Sequence, residues 1–295
     1  MKKGYVFPGQ GSQFAGMGKT HYEHNPLFKN RCEQAKDILG FDLTEIMFDG
    51  PEEKLRQTEN TQPAIFLHSV ALFETLKQQP DMVAGHSLGE FSALVACKAV
   101  SFEQALATVR KRGQLMQQAG VEHPGTMAAV IGMEDDKVEA VCHKASQKTK
   151  LPVVAANYNS KGQLVISGHE EAIDIAIDFL KEEGCKLAKK LPVSGAFHSP
   201  LMLPAFEGLE ESLNTLKISK PICPIYSNYT GEATIEPDEI RSNLLNQLLN
   251  PVRWTQTMIN MKQDGANLLV EVGPGKVLQG LAKRTVKGYE TYGYE

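Results

Sequence analysis

The feature that most restricts how this chain can fold is a change of period across residues 82–95. A short apolar run, Met82-Val83-Ala84, enters Gly85-His86-Ser87-Leu88-Gly89 and leaves it as a helical pattern with Phe91, Leu94 and Val95 at i, i+3 and i+4. A turn this tight at a strand end leaves no room for side chains at Gly85 and Gly89. It also lifts the Ser87 hydroxyl out of the core toward a helix N-terminus, whose unpaired N–H groups favour a developing oxyanion. In this strand-turn-helix setting the five residues read as a nucleophile elbow; without it they would read as a glycine-rich turn.

Apolar and helical runs alternate in the same way from the start to about residue 120, at 5–7, 64–76, 82–84, 91–99 and 102–118. That alternation predicts an α/β fold with a parallel sheet flanked by helices. Between about 124 and 193 the order becomes strand (126–131), helix (135–146), strand (153–158), strand (163–167), helix (170–183), strand (186–191). This βαββαβ order is ferredoxin-like, with Asn159-Ser160-Lys161-Gly162 as the central hairpin turn. The larger pattern then resumes with a helix opened by Ser199-Pro200, carrying Met202, Phe206, Leu209, Leu213 and Leu216 on one face. A last strand, 268–272, ends in Gly273-Pro274-Gly275 before a short helix over 277–283. The predicted organisation is a discontinuous catalytic domain, 1–123 and 194–295, with an inserted small subdomain at 124–193.

Composition narrows the partners. A chain of 295 residues that is 42% apolar can build one large α/β unit or two smaller ones around real cores. Its formal charge of -4 comes without a basic run, so it offers no footprint for a nucleic-acid backbone. No apolar stretch approaches a membrane span, and residues 1–7 pass into a strand without a secretory pattern. Cys32, Cys97, Cys142, Cys185 and Cys223 are widely spaced and include no CxxC, which suggests neither disulfides nor zinc. The expectation is a cytoplasmic protein, with small molecules and proteins as partners and no requirement beyond a monomer. Two lysine-bearing loops fail as P-loops, because Gln13 and Val277 stand where the motif needs Gly and Ser or Thr. Gly9-Gln10-Gly11 fails as a dinucleotide fingerprint at Phe14. What remains there is a tight loop at a strand end, able to aim backbone N–H groups.

A serine needs a base to act at neutral pH. Among His21, His24, His68, His86, His123, His143, His169 and His198, the last lies on a loop after Leu191-Pro192-Val193 and directly before the N-cap Ser199. Such loops at sheet edges gather catalytic residues, although a structural loop histidine fits the pattern equally well. His86 competes, but its side chain should point away from the neighbouring hydroxyl. The loop acid of a hydrolase triad is missing: Asp174 and Asp178 lie opposite Ile173, Ile177 and Leu180, while Asp135 and Asp136 mark a helix start. A backbone carbonyl could orient the base in its place. Arg112 falls with Ala105, Val109 and Met116 on an apolar helical stripe. Burying it without an anionic partner would cost on the order of several kcal/mol, so a carboxylate of the protein, a bound ligand or a snorkelling side chain must account for it.

Phe7-Pro8-Gly9-Gln10-Gly11-Ser12-Gln13, Thr61-Gln62-Pro63-Ala64, Gly85-His86-Ser87-Leu88-Gly89-Glu90, Arg112-Gly113-Gln114-Leu115-Met116-Gln117, Phe197-His198-Ser199, Asn250-Pro251-Val252 and Glu271-Val272-Gly273-Pro274-Gly275-Lys276 run in order along the chain. Together they closely resemble the malonyl-CoA:acyl carrier protein transacylase family. The resemblance implies a hydrolase-like core with an inserted ferredoxin-like subdomain, and malonyl transfer from malonyl-CoA to acyl carrier protein without cofactor or metal. It implies Ser87 as nucleophile and His198 as base, held by the main-chain carbonyl of Gln247, whose side chain would then matter little. Backbone N–H groups of Gln10 and Leu88 would form the oxyanion hole, and Arg112 would pair with the malonyl carboxylate. Gln62 would lie near the acyl pocket and Asn159 near the arm of the thioester donor. Phe197 resembles the malonyl-selective pattern and so disfavours methylmalonyl. Fatty acid synthesis is the expected setting; a polyketide acyltransferase and a serine esterase or thioesterase are the alternatives.

Overall fold

The computed structural model describes residues 2–295. Strand β1 (Lys2–Phe7) leads to four short helices, α1 (Lys19–His24), α2 (Pro26–Leu39), α3 (Leu43–Asp49) and α4 (Glu52–Leu55), then to α5 (Thr58–Thr75). Their ends follow from local chemistry. Asn25 caps α2 by accepting from the N–H groups of Leu27 and Phe28, Pro26 supplies the first turn, and Gly40 closes the helix in the left-handed region. Helix α5 is buried from Thr58 to Phe73 with the exception of Glu59, so it has no polar face and runs through the core. Strand β2 (Met82–Gly85), α6 (Gly89–Ala96) and α7 (Phe102–Glu122), capped by Ser101, complete this half.

Next come β3 (Gly125–Ile131), α8 (Asp135–Thr149), β4 (Val153–Ser160), β5 (Gln163–His169), α9 (Glu170–Glu182) and β6 (Leu187–Lys190). These strands make a separate antiparallel sheet in the order β4-β5-β3-β6, the arrangement that a βαββαβ chain takes when both helices pack on one face. It has its own apolar cluster, with Val130, Val138, Leu164, Ile166, Ile173 and Leu180 among its members. Asp174 and Asp178 are exposed on α9, as their position opposite the apolar stripe requires, and Asp174 pairs with Lys190.

The chain then returns through a 3₁₀ turn, Pro200–Ala205, to α10 (Phe206–Thr215), β7 (Ile225–Tyr226), β8 (Ala233–Thr234), α11 (Pro237–Gln247), α12 (Trp254–Gln263), β9 (Ala266–Val272), α13 (Val277–Thr285) and β10 (Glu290–Tyr294). Two expectations need correction. The helix opened by Ser199-Pro200 is not α-helical until Phe206, because Pro204 has no N–H to donate back to the carbonyl of Pro200. Strand 268–272 is not the last: β10 pairs in parallel with β9, from Glu290 opposite Leu268 to Tyr294 opposite Val272. An edge strand with partly exposed faces needs no apolar run, so Glu290-Thr291-Tyr292-Gly293-Tyr294 carries no strand signal of the kind sought.

The main sheet has the order β10-β9-β1-β2-β7-β8 and is parallel except for β8. Strand β4 of the second sheet is stitched to the main unit: Tyr158 N–H donates to the Val252 carbonyl at 2.9 Å and Val252 N–H to the Ala156 carbonyl at 2.8 Å. All five cysteines are free, and among the described residues no helix is long and apolar enough to cross a membrane.

Candidate active site

Strand β2 lies between β1 and β7, and the chain leaves its C-terminal end through a turn in which Ser87 has φ 51°. That left-handed conformation costs a non-glycine residue about 1–3 kcal/mol and persists only where the surroundings over-determine it. Here they do. A Cβ on Gly85 would meet the backbone of Gly89, one on Gly89 the Phe7 carbonyl, and one on Gly9 the His86 carbonyl. The elbow and the Gly9-Gln10-Gly11 loop thus pack backbone against backbone. Asn228, fully buried after β7, clamps the turn: its Oδ1 accepts from Ser87 N–H at 2.5 Å and its Nδ2 donates to the Gly85 carbonyl at 2.7 Å.

His198 meets Ser87, with Ser87 Oγ and His198 Nε2 2.7 Å apart. Its Nδ1 lies 2.8 Å from the Gln247 carbonyl. A carbonyl can only accept, so Nδ1 carries the proton and Nε2 is left to accept from the serine hydroxyl. The Gln247 carbonyl closes α11, where helix carbonyls lack intrahelical partners, so the helix end supplies the acceptor that a triad carboxylate would otherwise provide. Burial, reinforced by the Arg112 charge, pushes His198 down to about 3 and keeps the imidazole neutral at physiological pH. His86 turns elsewhere: its Nε2 is 2.9 Å from Asn159 Oδ1 and its ring packs against Trp254. Among the described residues, the N–H groups of Gln10 and Leu88 have no internal acceptor, and both residues line the cleft beside Ser87.

Arg112 is 1% exposed, which removes the snorkelling reading. Among the described residues no carboxylate oxygen comes within 4.0 Å of its guanidinium, which removes the salt-bridge reading. Its bonds go to neutral oxygens: Nη1 to Gln62 Oε1 at 2.7 Å, and Nη2 to Gln247 Oε1 at 2.9 Å and to Ser87 Oγ at 3.2 Å. Burial lowers it to about 10, still protonated near neutrality. The Gln247 side chain is therefore not idle, contrary to the expectation that only its carbonyl counts. It is buried, bonds Arg112, and donates through Nε2 to the Ser87 carbonyl at 3.1 Å and to Glu90. Glu90, pushed up to about 8 by burial, also accepts from Asn228 N–H at 2.9 Å. Sequence reasoning passed over Asn228, and it quoted Glu90 only within a motif. Neither has a local pattern that sets it apart; a polar turn, Ser227-Asn228-Tyr229-Thr230-Gly231, is the one trace Asn228 leaves.

Ser87 opens into a cleft of about 310 Å³ between the two sheets. The main unit contributes Gln10, Gln62, Ser87, Arg112 and His198; Met127, Asn157, Asn159 and Val165 come from the antiparallel sheet. Of the sequence-predicted residues, Gln10, Gln62, Ser87, Leu88, Arg112, Asn159 and His198 line this one space, and Gln247 reaches the site from behind through His198 and Arg112.

Residues 4–292 match the family model described as acyl transferase domain. The malonyl CoA-acyl carrier protein transacylase of Bacillus subtilis is 42% identical over 293 residues, which is 98% of this chain and 92% of that protein. An acyl carrier protein S-malonyltransferase from Vibrio cholerae superposes with a TM-score of 0.95 at 42% identity, over 100% of this chain and 97% of the other. A structure of a type II PKS acyl-carrier protein in complex with its malonyl-transacylase gives 0.95 at 38% identity, over 99% of this chain and 95% of the other.

Proposed function

From the premise that this chain belongs to the acyl transferase domain family, we propose that it transfers malonyl from malonyl-CoA to the phosphopantetheine thiol of acyl carrier protein, through an ester on Ser87. The observation that carries the reading is the buried, carboxylate-free Arg112 donating to the nucleophile itself at 3.2 Å. A guanidinium held there by neutral acceptors is a receptor for an anion on the acyl group, and its planar fork suits a carboxylate.

The geometry supports two half-reactions. Ser87 Oγ attacks the thioester carbon as its proton passes to His198 Nε2, and the carbonyl oxygen becomes an oxyanion that accepts from the Gln10 and Leu88 N–H groups. Removing one such donor typically slows a reaction by about 100- to 1,000-fold. The tetrahedral intermediate collapses, the C–S bond breaks, and the CoA sulfur takes the proton from His198. The carrier thiol then gives its proton to His198 and attacks the malonyl-serine ester, and Ser87 recovers its proton as it leaves. The imidazolium formed midway is stabilised by the Gln247 carbonyl at the negative end of α11. The reaction takes malonyl-CoA as substrate and draws on protein groups alone, in a cytoplasmic setting that fits five free cysteines. The antiparallel sheet, within 124–193, forms the wall along which Asn159 meets the donor's arm. Hydrolysis has less support, because among the described residues no carboxylate bonds His198.

Brief incubation with malonyl-CoA alone should place a malonyl ester on Ser87, visible by intact mass and peptide mapping and absent from Ser87→Ala. An adduct elsewhere, or none on active protein, would sink this mechanism.

A further inference from the structure

Two buried groups beside the nucleophile take no part in the transfer steps: the Glu90 carboxyl, 2% exposed, and the Gln247 side chain, 1% exposed. They are arranged in line with Arg112. Gln247 Oε1 accepts from Arg112 Nη2 at 2.9 Å, while Gln247 Nε2 donates to Glu90 Oε2. Glu90 Oε1 is held from the other side by Asn228 N–H at 2.9 Å. Among the described residues Glu90 is the carboxyl set next to Arg112 through this amide.

The amide's polarity matches both neighbours, oxygen toward the cation and N–H toward the acid. It can satisfy each without letting them meet. A direct guanidinium–carboxylate pair would be the stronger contact, and it would occupy the donors an incoming acyl carboxylate needs. With the amide between them Glu90 stays largely protonated near neutrality, no carboxylate closes on the guanidinium, and the donors toward Ser87 are left open. We infer that the Gln247 side chain is a spacer that keeps Glu90 from pairing with Arg112, and so sets the preference of the site for an acyl group carrying its own carboxylate. The inference rests on Arg112 being the carboxylate receptor of the proposed transfer.

The test is the Michaelis constant for malonyl-CoA and for acetyl-CoA in full-length protein, with folding checked by near-ultraviolet circular dichroism. Gln247→Met keeps the main-chain carbonyl on His198 and removes the amide. It should raise the malonyl-CoA KM by about tenfold or more relative to the acetyl-CoA KM measured on the same preparation. Adding Glu90→Gln should bring the malonyl-CoA KM back to within about threefold of wild type, because the competing acid is gone. A merely structural Gln247 predicts the opposite, a double variant no better than the single. Gln247→Asn, too short to reach both neighbours, should behave as Gln247→Met does and serves if the latter does not fold. A wild-type malonyl-CoA KM in the single variants, or no recovery in the double, overturns the spacer. Wild-type protein that forms no malonyl ester and shows no preference for malonyl-CoA overturns the functional reading instead.

Discussion

Arg112 shows what one residue can settle. Its place among Ala105, Val109 and Met116 forces the guanidinium inward, and once inside it must be charged and served. Gln62, Gln247 and Ser87 provide oxygen atoms without providing an opposite charge. The affinity left over is directed at the space in front of Ser87. Arg112→Ala should therefore lower kcat/KM for malonyl-CoA by about 100-fold or more, in line with the 2–5 kcal/mol typical of truncating one partner of a buried charge pair. Acetyl-CoA, which brings no carboxylate, should lose far less, so relative acetyl use rises. Parallel thiol-release assays on the two thioesters decide it; an unchanged preference would remove this account of specificity.

At the scale of elements, the site is a junction of chain ends. The elbow joins the end of β2 to the start of α6, the Gly9-Gln10-Gly11 loop follows β1, and the Gln247 carbonyl ends α11. Each supplies backbone groups that regular structure leaves unpaired. Ser87 and His198 both sit at positive φ, 51° and 56°, so the hydrogen-bonded pair is held in strained backbone on two separate segments. The clamp on one of them is Asn228. Asn228→Ala would strip both the Ser87 N–H and the Gly85 carbonyl of their partner, a loss of about 1–3 kcal/mol in stability. It should also cut kcat by about 10- to 100-fold, because the hydroxyl is no longer held toward His198. Urea denaturation and steady-state rates on one preparation check both. Loss of stability with normal kcat would show that the elbow holds its shape without the clamp.

For the whole molecule, the two sheets meet across the cleft, and stability depends on the histidines buried between elements. His68, inside α5 and against Phe28, and His198 are each held near 3, down from 6.5, chiefly by burial. Between those values the unfolded chain binds a proton that the folded one refuses. Stability is therefore intact above about pH 6.5 and falls as pH drops toward 3, by about 1.4 kcal/mol per pH unit for each site. Glu90, held up near 8 from 4.5, acts in the opposite sense between those two values, so the informative quantity is a difference between variants. His68→Leu should make the slope of unfolding free energy below about pH 6 shallower by about 1.4 kcal/mol per unit, measured by urea titration at several pH values. Equal slopes would mean that His68 takes up its proton in the folded protein. Much of this architecture could be read before folding. Periodicity located the parallel core, the βαββαβ unit and the elbow, since alternating burial is written into consecutive residues. Glycine at 85 and 89 and the apolar stripe around Arg112 are equally local. The two-residue strands β7 and β8, the polar edge strand β10 and the 3₁₀ start at Pro200 fell below what a pattern can carry. The residues alone favoured His198 over His86 as the base but could not separate it from a structural loop histidine, and said nothing of Asn228 or of the amide between Glu90 and Arg112. Those depend on side chains 49 to 160 positions apart meeting at a few ångströms. Only the closed tertiary fold sets such distances, because a hydrogen bond between remote segments leaves no periodic trace in either one.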